Sequence, residues 1–166
     1  MKKAICLLLS VILLFLCTQT LSSCGRRTSA YETLLSFSHA YPMPAGLYYD
    51  SRAGEEQETY LSPDLFSLLF ARADGGDDRE DILEMALFLG SSPSYVAEMG
   101  IFYCPDRDAA YEVAGLVRGR LAMLEGTPLC DLSYLEGATV TLFGSTVVYT
   151  VLSDNEKALR TLSRLL

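Results

Sequence analysis

A nucleophile-based hydrolase needs a base beside its Ser, Cys or Thr, and this chain offers one histidine, His39, for that work. His39 falls in a short stretch between apolar neighbours. Ser91 and Ser92 sit in a loop-like Ser-Ser-Pro sequence, yet no glycine-framed elbow surrounds them and no acid stands as a third member. Hard cations want converging oxygens, which directs attention to the acidic turn from Asp74 to Asp81. Counted from Asp74, however, the sixth residue is Arg79 and the twelfth is Met85, where an EF-hand loop requires Gly and Glu. An irregular calcium site on Asp74, Asp77 and Asp78 stays open beside the plainer reading of a solvated turn. One His and two well-separated Cys do not make a zinc set. Phosphate loops and dinucleotide fingerprints are missing, and Gly115 and Gly119, four apart in a helical pattern, read as sites of close helix packing. No cofactor is implied.

Carbohydrate recognition leans on flat exposed aromatics. The chain has no Trp; Tyr41, Tyr48, Tyr49 and Tyr60 are the candidates for such a binding surface, with ordinary core and rim roles as the alternative.

What surrounds Cys24 has a more definite meaning. A basic start (Lys2, Lys3) precedes an apolar run from Ala4 to Cys17, then a polar stretch and small residues at Ser22 and Ser23. That is the layout of a secretory signal peptide. The run is roughly 14 residues, short of the about 20 that a membrane span needs. Leu21-Ser22-Ser23-Cys24 resembles the lipobox of bacterial lipoproteins. The resemblance implies diacylglycerol transfer to the Cys24 thiol, cleavage before it, and a domain anchored by at least two acyl chains on the extracytoplasmic face of the cell membrane. Two chains hold stably where one binds marginally. The alternative is a secreted protein with a Cys that happens to lie near its cleavage site.

Residues 1–23 are thus expected to leave as signal peptide, with 24–29 a lipidated cysteine and short linker and 30–166 a single domain, about the length that buries one good core. Removing Lys2 and Lys3 leaves 11 basic against 21 acidic residues, a net charge of −10. Such a body repels nucleic acid and anionic lipid. The tether spans at most about 20 Å, so the domain is expected to stand off the membrane but close to it.

Once the signal leaves and Cys24 is lipidated, Cys104 and Cys130 remain. An even pair outside the cytoplasm invites a disulfide. Against it, a helix of about 18 residues carries the chain some 27 Å from Cys104, and five further residues return at most about 17 Å. A bridge needs Cα atoms within about 7 Å, so two buried thiols is the favoured reading.

The elements follow from periodicity and caps. A short helix starts at Ser29 and is stopped by Pro42 and Pro44. A strand or extended segment covers 45–49, and a solvated loop 50–59. Ser62-Pro63 opens a second helix. Residues 82–89 read as a strand, although periodicity alone leaves helix open; 95–103 alternates as a strand, with Val96, Glu98, Gly100 and Phe102 on one side. Asp106 caps the clearest helix, whose apolar face is Ala110, Val113, Ala114, Val117, Leu121 and Leu124. A hairpin turning at Gly144-Ser145 follows, then a last helix capped by Ser153 and Glu156 with Leu159, Leu162, Leu165 and Leu166 inward. The expected fold is α+β, an antiparallel sheet of about four strands with helices on one face.

The order of lipobox, short helix, acidic turn and paired strands, then Glu98-Met99-Gly100-Ile101-Phe102-Tyr103 running into Asp106 and a long helix, then Val147-Val148-Tyr149 and a closing helix, resembles the DUF forty-three fifty-eight family of small bacterial lipoproteins. The resemblance covers most of 60–166 and rests on packing patterns. It implies no catalytic residues, since the family's function is unknown. Cys104 departs from the family's usual strand residue, and the loop from Asp50 to Thr59 is longer than its counterpart.

The expected function is a non-catalytic binding or interaction module of the cell envelope, anchored to the membrane and meeting an envelope protein or cell-wall polymer. The competing reading is a small envelope hydrolase or metal-dependent enzyme whose residues converge only in the fold.

Overall fold

The computed structural model describes residues 28–70, 78–126 and 131–166. The signal segment, Cys24, Asp74, Asp77 and Cys130 lie outside them, and so do the expectations placed on those residues. Of Asp78, the backbone alone is described.

The described chain is α+β. In order it forms helix α1 (Ala30–Ala40), strand β1 (Gly46–Asp50), helix α2 (Pro63–Leu69), strands β2 (Glu84–Gly90) and β3 (Glu98–Tyr103), helix α3 (Arg107–Glu125), strands β4 (Thr139–Phe143) and β5 (Thr146–Val151), and helix α4 (Asn155–Leu162). Short 3-10 turns at Asp78–Asp81 and Ser133–Leu135 join them. The five strands make one antiparallel sheet in the order β1-β2-β3-β5-β4. Among the described residues, no helix is long and apolar enough to cross a membrane.

Local chemistry explains the boundaries. Ser29 closes a capping box with Glu32 at the start of α1. Ser62 accepts from Leu65 N with Pro63 in the first turn of α2, and Asp106 accepts from Ala109 N at the start of α3. Gly144, at φ 63°, supplies the positive φ that a tight hairpin turn demands between β4 and β5. For α4 the cap is Asp154, whose carboxylate accepts from Lys157 N, and not Ser153. The inward stripe of α4 is Asn155, Ala158 and Leu162; Leu165 and Leu166 are exposed, because the helix ends at Leu162.

Two particulars differ from the sequence expectation. The segment at 46–50 is a true fifth strand, paired along its length with β2. Helices also cover both faces of the sheet. One core joins α1 and α4 to Ala86, Phe88, Met99, Ile101 and Val148; the other joins α2 and α3 to Met85, Leu87, Phe102, Val147 and Tyr149. Successive residues of a strand point to opposite faces, so strands apolar at every position need cover on both sides. Met85 to Leu89 and Val147 to Tyr149 read as continuous apolar runs for this reason.

Gly115 and Gly119 face open space: a Cβ added at either meets nothing within 4 Å. Among the described residues they serve no helix packing, contrary to the sequence expectation, and each costs α3 about 1 kcal/mol relative to Ala.

Candidate functional site

The residues singled out for chemistry do not converge. His39 is exposed in the last turn of α1. Ser91 Oγ donates to the Ala45 carbonyl at 3.2 Å, and Ser92 Oγ accepts from Ser94 N at 3.2 Å. Among the described residues no hydrogen bond links His39 to either serine, and no cluster of three or more His, Cys, Asp or Glu is arranged to hold a metal. Cys104 is buried behind β3 at 1 % exposure.

The four tyrosines do not form one platform. Tyr41 is buried, stacked on Phe37 at 5.1 Å between ring centroids, and its hydroxyl accepts from Asp154 N at 3.1 Å while lying 3.2 Å from Asp154 O. It clamps the end of α1 to the start of α4. Tyr48 and Tyr49 are consecutive in β1 and so point to opposite faces, Tyr48 against Phe88 and Tyr49 toward α2 and α3. Tyr60 bridges to Asp50 beyond the sheet edge.

Sequence reading passed over a polar constellation buried in the core. Glu98 on β3, Arg120 on α3 and Tyr149 on β5 meet inside the core. Arg120 grips the Glu98 carboxylate with two donors, Nε to Oε2 at 3.1 Å and Nη2 to Oε1. Tyr149 Oη donates to Glu98 Oε2 at 3.3 Å. The side chains of Glu98 and Arg120 are 8 % and 14 % exposed, and Tyr149 is 1 % exposed. A fork-shaped guanidinium satisfies a buried carboxylate better than any other side chain.

The sheet register makes the meeting inevitable. Tyr149 lies opposite Gly100, and Glu98 opposite Val151, so the tyrosine and the glutamate are diagonal neighbours on one face. Gly100 leaves room for the Tyr149 ring. Both signals are present in the sequence: Glu98 is the charged member of an inward alternation, and Arg120 continues the buried helical spacing of Val113, Val117 and Leu124.

The electrostatics suit holding, not proton transfer. Burial, and then the Glu98 charge, push the Tyr149 phenol well above its ordinary value of 10.0, with Arg120 opposing in part. Burial tends to lower the Arg120 value, but its hydrogen bond to Glu98 and the charge of that carboxylate raise it overall. A phenol and a guanidinium locked in their protonated forms neither give nor take protons near neutrality.

Two shallow grooves flank α4. One, of about 510 Å³, includes Glu136, Asp154 and Glu156 in its lining. The other, of about 410 Å³, runs between the end of α1 and α4 and is lined by Ala40, Lys157, Arg160, Thr161, Arg164 and Leu165. Sequence reading missed this basic groove as well, although 157, 160, 161 and 164 fall at helical spacing on one face.

Set against family models, curated proteins and solved structures, the chain matches none.

Proposed function

We propose that the chain is a lipid-anchored lipoprotein of the cell envelope, akin to the DUF forty-three fifty-eight family, whose folded domain is a non-catalytic interaction module. Cys24 carries the lipid, and the domain works on the extracytoplasmic face of the membrane. The observation that most supports a non-catalytic role is the state of the buried polar cluster: Glu98, Arg120 and Tyr149 spend their hydrogen-bonding capacity on one another inside the core. The other candidate groups, His39, Ser91 and Ser92, share no hydrogen bond among the described residues.

In-cell crosslinking of the tagged chain, compared with a Cys24→Ala variant, tests the reading. A partner captured by the wild type and lost in the variant is the expected result. Capture that is equal in both chains contradicts a membrane-tethered module.

A further inference from the structure

We propose that the groove between α1 and α4 binds a phosphate-bearing organic anion through Arg160, Arg164 and Lys157. This gives the interaction module a ligand class and rests on that reading.

The chain carries a net charge of −8, yet this groove includes no carboxylate in its lining and gathers three cations. Among the described residues there are eight Lys and Arg in all, so three of the eight converge here. Spacing at 157, 160, 161 and 164 holds them on one stripe of α4 and its continuation. Cations near a helix C-terminus also complement its dipole, and that role accounts for Arg160 in the last turn. It does not account for Lys157 in the first turn on the same wall.

The groups are placed for use. Lys157 Nζ stands 5.8 Å over the Tyr41 ring, a cation–π contact that fixes its position beside Ala40. Arg164 pairs with no carboxylate among the described residues. Arg160 pairs with Glu156, both of them exposed, at 57 % and 83 %. Such a surface pair is worth at most about 1 kcal/mol and yields readily to a better anion. Planar guanidinium forks match phosphate oxygens in pairs, while Ala40 and Leu165 give an apolar wall for the organic part.

Phosphate of this kind comes either from a soluble polyol phosphate or from a lipid headgroup. The test is equilibrium dialysis of glycerol 1-phosphate against the full chain reconstituted in phosphatidylcholine vesicles. A second arm adds phosphatidylglycerol to the bilayer. Saturable binding is expected, weakened at least about tenfold by Arg160→Gln with Arg164→Gln, a loss that a single charge-assisted hydrogen bond would already produce. Glu156→Gln should tighten binding several-fold by releasing Arg160. Displacement of the probe in the phosphatidylglycerol arm, lost in the double variant, supports the proposal with lipid as the source. No displacement there, with binding intact in the first arm, supports it with a soluble source. Absence of binding in both arms, or binding indifferent to the arginines, overturns the site. A partner still captured by crosslinking in that case would leave the interaction module standing, so the two failures are distinguishable.

Discussion

Replacing Arg120 with Met lowers the unfolding free energy by about 3–5 kcal/mol, because it strands the Glu98 carboxylate in the core without its charge partner. The side chain of Glu98 is only 8 % exposed, so water cannot take over the task. Tyr149 supplies a single hydrogen bond at 3.3 Å, too little to compensate. Adding Glu98→Gln to Arg120→Met removes the charge while keeping an acceptor for the tyrosine, and recovers at least half of the loss. Urea unfolding of the wild type, both singles and the double completes a cycle that isolates the pair. A loss under about 1 kcal/mol for Arg120→Met would mean that the network is more open to solvent than its burial indicates.

Gly100→Ala destabilises by about 2–3 kcal/mol through overpacking. A Cβ at this position falls 2.8 Å from Phe102 Cε2 and 2.9 Å from Leu87 Cδ2, and closer still to Tyr149 Cε1. None of these can retreat cheaply, since Leu87, Phe102 and Tyr149 are all 1 % exposed or less, and the tyrosine is held at its hydroxyl. Gly115→Ala provides the contrast within the same chain. It adds the same methyl where nothing lies within 4 Å, and should stabilise by about 0.5–1 kcal/mol through helix propensity. Thermal unfolding of the two variants should therefore move in opposite directions; a shared direction would contradict the packing around Gly100.

Much of the fold is legible in the sequence because its signals are local. Ser29, Ser62 and Asp106 each announce a helix by the hydrogen bond that their side chains make, and the alternation of β3 sorts its residues onto the two faces observed. The second helical layer is hidden for a physical reason. A strand buried on both faces loses the polar half of its alternation, so Met85 to Leu89 reveals that it is buried but not what covers each side. Gly115 and Gly119 mislead because spacing alone does not reveal whether a helix face is covered.

The site divides in the same way. Tyr48 and Tyr49 look like a surface pair in one dimension, yet period-two geometry sends them to opposite faces. Glu98, Arg120 and Tyr149 are spread over 51 residues between the outer two positions, and only the β3–β5 register with α3 laid across it brings them together. The basic groove is half legible, since its α4 stripe is regular while its other wall, the end of α1, is more than 100 residues distant.

Cys24 carries the largest claim about where the protein works, and the mass of the chain recovered from washed cell membranes tests it most directly. An anchor at Cys24 predicts a polypeptide that begins at Cys24 and is heavier than its sequence by a diacylglyceryl group, and no membrane-bound form for Cys24→Ala. A chain that begins elsewhere, or one that starts at Cys24 with an unmodified thiol, would contradict the anchor and the tethered role built on it.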